Sequence, residues 1–226
     1  FSTVDDKLAR QFEPGVPSPT ERLKILAKLK QQGVPCGMFL MPVIPLITDT
    51  SELIDRAFSE AATIDLDYLI FSGMTLKPGK QQDHFFTTLG QIYPELEKEY
   101  QCLYAQAGQW GNASSEYYQT LNQRFAGISL RYPVPTRIPV RLVKKQLDDT
   151  DRVVVILEQI DYLLKLTNQT SPYGYGAYSL SQLKQPIEAL KGNFRHLKGI
   201  GPVTERLINE ILDTGSCKYY EKLIGG

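Results

Sequence analysis

Two mainly apolar runs, residues 37–45 and 67–73, flank a stretch with the periodicity of an amphipathic helix, and this order constrains the front of the chain most. Runs as short and continuous as Met38-Phe39-Leu40-Met41 suit strands buried on both faces, as in a parallel sheet. Between them Leu53, Ile54, Ala57, Phe58 and Ala61 share one helical face, with Asp49 or Thr50 as the N-cap. A helix joining two strands is the unit of right-handed parallel crossovers. An earlier helix start is written in Ser18-Pro19-Thr20-Glu21: Ser18 caps, Pro19 takes the first position and Glu21 reaches back. Gly33 ends that helix. Pro42 has no amide to give a central ladder, so it is expected to mark the end of the first strand. Phe1-Ser2-Thr3-Val4 reads as the end of a strand, and a first residue other than Met suggests a fragment of a longer protein.

The second half reads differently. Residues 105–118 are rich in Gly, Gln, Asn and Ser and are expected to form a surface connection. Residues 151–166 form a strongly apolar helix. Residues 168–178 are expected to be a loop, in which Tyr173, Tyr175 and Tyr178 alternate with Gly174 and Gly176. These tyrosines suit packing over the apolar helix better than stacking on bases. Helices are expected over 181–190, 191–197 and 203–212.

Within that tail, Lys198-Gly199-Ile200-Gly201-Pro202-Val203-Thr204 has the spacing of a helix-hairpin-helix turn. Gly199 and Gly201 permit positive φ, and Pro202 suits the first position of a helix. The amides of Gly201, Val203 and Thr204 then point out of the turn, where a phosphate oxygen can accept from them. Lys198, Gly199, Ile200, Gly201, Val203 and Thr204 are therefore the candidate nucleic-acid-binding residues, with DNA the expected polymer. The module is similar to those of DNA repair and recombination proteins. With 25 basic and 25 acidic residues there is no global field for a polyanion, so contacts rest on local patches. Arg124, Arg131, Arg137, Arg141, Lys144 and Lys145, with Tyr132 among them, form one such run. It suits a phosphate backbone or a solvated linker equally.

Other chemistry is sparse. Cys36, Cys102 and Cys217 are far apart and make neither a zinc pattern nor a disulfide framework, which fits a reducing, cytoplasmic setting. No apolar run approaches the ~20 residues that span a bilayer. His84 and His196 are the two histidines, and no Ser-His-Asp or Cys-His arrangement can be argued from them. Asp5-Asp6 and Asp148-Asp149 sit where helices start and offset the macrodipole. The residues themselves assign no catalytic group and no metal ligand.

Phe1-Ser2-Thr3, Leu8-Ala9, Phe12-Glu13-Pro14, Pro17-Ser18-Pro19, Arg22-Leu23, the segment from Gly33 to Gly37 and the segment from Pro42 to Asp49 together resemble radical S-adenosylmethionine (SAM) proteins of the spore photoproduct lyase and DNA repair photolyase type. The resemblance covers residues 1–125. It implies an α/β fold with the C-terminal half of a partial (β/α) barrel over 1–125; the rest of the chain reads as a connecting segment with the apolar helix over 126–178 and an all-α helix-hairpin-helix module over 179–226. It implies SAM and a [4Fe–4S] cluster as cofactors of a full-length lyase-like enzyme whose 5′-deoxyadenosyl radical abstracts a hydrogen from a substrate, with nucleic acid as the expected substrate class. Ser2, Thr3, Glu13, Arg22 and Pro42 would contact the cofactor, Arg22 through the SAM carboxylate. The family's C-x3-C-x2-C is missing here, so this chain alone is expected to hold no cluster. An upstream cluster-binding half would be its partner. The alternative is a non-catalytic nucleic-acid-binding or scaffolding protein.

Overall fold

A computed structural model describes residues 1–224, so the last two residues of the expected 179–226 module lie outside the described residues. The chain divides into two units, Phe1–Thr136 and Arg137–Gly226. Helix accounts for 60% of it and strand for 5%.

The first unit holds helices α1 (Asp6–Phe12) and α2 (Pro19–Gln31), strand β1 (Met38–Val43), α3 (Ser51–Thr63), β2 (Leu69–Gly73), then α4 (Lys80–Ile92), α5 (Glu97–Leu103) and α6 (Ser115–Ser129). Strands β1 and β2 pair in parallel, Met38 opposite Leu69 and Leu40 opposite Phe71, with α3 as their crossover. The Ser18–Glu21 capping box is formed, and Pro19 opens α2. Thr50, not Asp49, caps α3 by accepting from the Leu53 amide. Pro42 lies inside β1 rather than after it. The ladder is irregular between Leu40 and Val43, so its missing amide costs no strand-pairing bond.

The expectation of an α/β fold carrying part of a (β/α) barrel is overturned. Among the described residues the sheet has two strands, and no barrel fragment is evident. After β2 the chain spends its apolar residues on helices: Phe125 of α6 stacks on Phe71 with ring centroids 3.5 Å apart and tilts against Phe58 of α3 at 5.1 Å. A face covered this way needs no third strand. Residues 1–4 are not a strand either; their link to β1 is the Phe1 nitrogen donating to the Phe39 carbonyl.

The second unit holds α7 (Val140–Val143), α8 (Asp149–Leu166), α9 (Tyr173–Ser181), α10 (Pro202–Thr214) and α11 (Lys218–Ile224). Val153, Ile156, Leu157 and Ile160 of α8 are fully buried against Ala177 and Leu180 of α9, Phe194, and Ile208 and Ile211 of α10. Burying each such side chain contributes about 1.5–3 kcal/mol. The 168–178 segment is not a loop, because α9 begins at Tyr173. Its glycines have a packing role. A Cβ on Gly174 would lie 2.9 Å from an Asp161 carboxylate oxygen of α8. Residues 181–197 are not two α-helices: Pro186 and Gly192 leave only the 3-10 turns Ile187–Leu190 and Phe194–His196.

Candidate functional site

The C-terminal ends of β1 and β2 open onto a cleft of about 460 Å³. Met41 and Pro42 of β1, Ser72 and Gly73 of β2, the following Met74–Leu76 stretch, and Gln81, His84, Phe85 and Thr88 of α4 line it. A second cleft of about 290 Å³ shares Phe12, Met41, Pro42, Met74 and Phe85 and adds Phe1, Ser2 and Glu13.

Both strand-end loops are pinned by tyrosines. After β1, the Ile44 amide donates to Thr48 Oγ1 at 2.7 Å, and the Tyr100 hydroxyl donates to the Pro45 carbonyl. After β2, the hydroxyls of Tyr104 and Tyr118 donate to the Met74 carbonyl at 2.8 and 3.2 Å. Asp49, only 4% exposed, accepts from the Tyr117 hydroxyl at 3.0 Å and faces Arg124 at 3.7 Å. Burial raises the pKa of Tyr100, Tyr104 and Tyr117 far above the ordinary phenol value, and the nearby Asp49 carboxylate adds to it. All three remain neutral donors.

Of the five expected cofactor contacts, the structure gathers four. Glu13 accepts from the Ser2 amide at 3.0 Å and the Ser2 hydroxyl at 2.5 Å, and its other oxygen takes Arg22 Nη2 at 3.1 Å. Ser2, Glu13 and Pro42 line the smaller cleft. Arg22 stacks over the Phe1 ring at 4.3 Å, and its Nε is buried without an acceptor. Burial opposes ionisation of Glu13, but the Ser2 hydrogen bonds and the Arg22 charge outweigh it and hold the carboxyl below its usual range. Thr3 is not brought in. Its Oγ1 accepts from the Asp5 amide at 3.1 Å and shapes the entry to α1.

Sequence reasoning missed the α4 wall. The signal was available: 81, 84, 85 and 88 recur at i, i+3, i+4 and i+7, one helical face.

In the second unit, Gly199 has φ +82° but Gly201 does not have positive φ. It is an extended N-cap at φ −94°, ψ −179°, and Pro202 follows as the first residue of α10. Among the described residues the amides of Gly201, Val203 and Thr204 find no acceptor. Lys198 and Val203 are exposed, whereas the side chains of Ile200 and Thr204 are buried and contribute to the hairpin's packing only. Arg195 is held by Glu205 at 2.5 Å.

The basic run is largely engaged within the fold. Arg131 pairs with Asp55 at 3.0 Å, and Arg137 stacks on Tyr162 at 3.3 Å. Asp5 and Asp148 cap α1 and α8.

Among the described residues no three His, Cys, Asp or Glu side chains are grouped to hold a metal ion. Cys36 is half-buried, Cys102 exposed and Cys217 buried, all as free thiols. These donors do not fit an iron–sulfur cluster. No described helix is long and apolar enough to cross a membrane.

No protein-family model matches the chain, and no solved structure does. The chain is similar to uncharacterized proteins of Mycobacterium tuberculosis and Mycobacterium bovis, 27% identical over 149 residues, 63% of this chain and 43% of theirs. It is also similar to an uncharacterized protein of the Acidianus two-tailed virus, 29% identical over 105 residues, 44% of this chain and 35% of that one. The chain thus spans less than half the length of the relatives it matches.

Proposed function

We propose that this chain is the substrate-facing portion of a radical SAM enzyme of the photoproduct-lyase type, and that its second unit holds a nucleic-acid backbone through the 198–204 hairpin. The observation that carries the first part is the convergence of Ser2, Glu13 and Pro42 on one cleft at the C-terminal ends of two parallel strands, with Arg22 paired to Glu13 beside it. Arg22 gives one N–H to Glu13 and keeps a buried Nε with no acceptor, which fits the carboxylate of an amino-acid ligand. Glu13, held ionised, suits the ammonium of the same ligand. SAM, when bound beside a reduced cluster, supplies the hydrogen-abstracting radical. On this reading the cluster ligands would come from outside these residues, because the free thiols here do not fit a cluster. The residues described here bind, orient and exclude water. The scattered free thiols fit a cytoplasmic setting.

The test is made on the full-length protein, purified anaerobically: its iron content, and 5′-deoxyadenosine released from SAM with a reductant. About four irons per chain, with product formation lost in Arg22→Met, supports the reading. A full-length protein without iron and without SAM binding refutes it. The second reading, a non-catalytic nucleic-acid-binding or scaffolding protein, is favoured by the open hairpin amides, which stand in a unit with its own apolar core. Salt-sensitive DNA binding by an iron-free protein would support it.

A further inference from the structure

Helix α9 lies directly against the 198–204 hairpin. The Ser179 hydroxyl donates to the Lys198 carbonyl at 2.6 Å. A Cβ on Gly199 would fall 2.8 Å from Tyr175 Cβ, and one on Gly176 would fall 3.4 Å from the Gly199 carbonyl oxygen. The tyrosines of this helix divide sharply. Tyr173 is 8% exposed and packs on Tyr219 with ring centroids 6.2 Å apart. Tyr175 and Tyr178, three residues apart on one helical face, are 73% and 66% exposed. Among the described residues neither ring has an aromatic partner and neither hydroxyl a hydrogen bond.

We infer that Tyr175 and Tyr178 form a stacking platform for unpaired bases, so that the second unit takes single-stranded rather than duplex nucleic acid. The inference rests on the nucleic-acid reading of the hairpin and deepens it. Three features point to this polymer. Lys198 and Arg206 are exposed beside the hairpin and have no carboxylate partner among the described residues, which suits a polyanion. The open amides of Gly201, Val203 and Thr204 can receive phosphate oxygens. Two bare phenol rings next to a phosphate-binding turn offer π-faces that bases in a duplex, already stacked on one another, cannot use. Unpaired bases can, whatever their identity, because every base has a π-face.

The test uses the whole chain and a fluorescein-labelled oligothymidine of about 20 nucleotides, with a duplex of equal length as the comparison. Stacking is worth about 1–3 kcal/mol per base, roughly 5- to 150-fold in affinity. The single strand should therefore bind at least about tenfold more tightly than the duplex. Tyr175→Ala with Tyr178→Ala should abolish that preference and leave duplex binding unchanged. Tyr175→Phe with Tyr178→Phe should keep it, because stacking needs no hydroxyl. Circular dichroism of each variant confirms the fold. Equal affinity for the two polymers, unmoved by the alanine variants, overturns the platform while leaving the hairpin reading intact. No binding of either polymer by the unaltered chain overturns both.

Discussion

Replacing Glu13 by Gln disturbs the best-formed polar cluster of the first unit, and its cost follows from the geometry. The carboxylate takes three donors: the Ser2 amide, the Ser2 hydroxyl and Arg22 Nη2. An amide keeps one acceptor oxygen and turns an NH2 toward the remaining donors. If the oxygen stays with Ser2, Arg22 loses its partner while stacked on Phe1. Hydrogen bonds to charged groups are worth about 1.5–3 kcal/mol. The Glu13 and Arg22 side chains are each 22% exposed, so water restores part of the loss. The expected destabilisation is about 2–3 kcal/mol, or roughly 6–15 °C in Tm for a unit of this size. The assay is thermal unfolding followed by tryptophan fluorescence. Trp110 is the single tryptophan and lies in the first unit, so the signal reports that unit. The pH dependence gives a second reading. The carboxyl pKa is lowered on folding, so its stabilisation is complete above the unfolded value of about 4.3. It is lost as pH falls through the lower folded value. The difference between the two proteins should hold from neutral pH down to about 5 and vanish in stronger acid. A shift below about 2 °C at neutral pH would refute the reasoning, because that is under 1 kcal/mol for a domain of this size.

Further outcomes are expected elsewhere. Gly199→Val introduces a side chain at φ +82° and against Tyr175, so hairpin binding should fall and the second unit should lose at least about 1–3 kcal/mol, measured by circular dichroism in urea. Phe194→Ala empties a fully buried site in the same unit and should cost about 3–5 kcal/mol by the same assay. Tyr117→Phe removes one hydrogen bond to the buried Asp49 carboxylate and should cost about 1.5–3 kcal/mol, seen in Trp110 fluorescence. In an alkaline absorbance titration, the phenols of Tyr100, Tyr104 and Tyr117 should ionise only together with unfolding.

Much of the local structure was legible because it is locally determined. The capping box at Ser18 and Glu21, the Pro202 helix start and the two strand runs each carry their cause within a few residues. The sheet's extent was not legible. A run such as residues 67–73 announces a buried strand, but not whether its neighbour is another strand or, as with Phe125, a helix. Helix α9 was hidden because alternating glycines weaken helix propensity, and their benefit, closeness to Asp161 and the hairpin, is tertiary. The partial gathering of the candidate site has the same explanation. Glu13 and Arg22 are nine residues apart, whereas the pairing of Asp49 with Tyr117 spans 68 residues and no spacing rule reaches it.

Helix α9 also acts as a shim. It has no side chain at Gly174, where it meets α8, and none at Gly176, where it meets the hairpin, so at both contacts it is as thin as a helix can be. The reach of the hairpin from the core of its unit is thereby set at a minimum. A methyl group at position 176 would sit 3.3 Å from Thr204 Cγ2 and 3.4 Å from the Gly199 carbonyl oxygen, so the hairpin would have to give by a few tenths of an ångström. Thickness at this one position is thus a dial for how far the Lys198 turn projects, and the sequence holds it at its lowest setting.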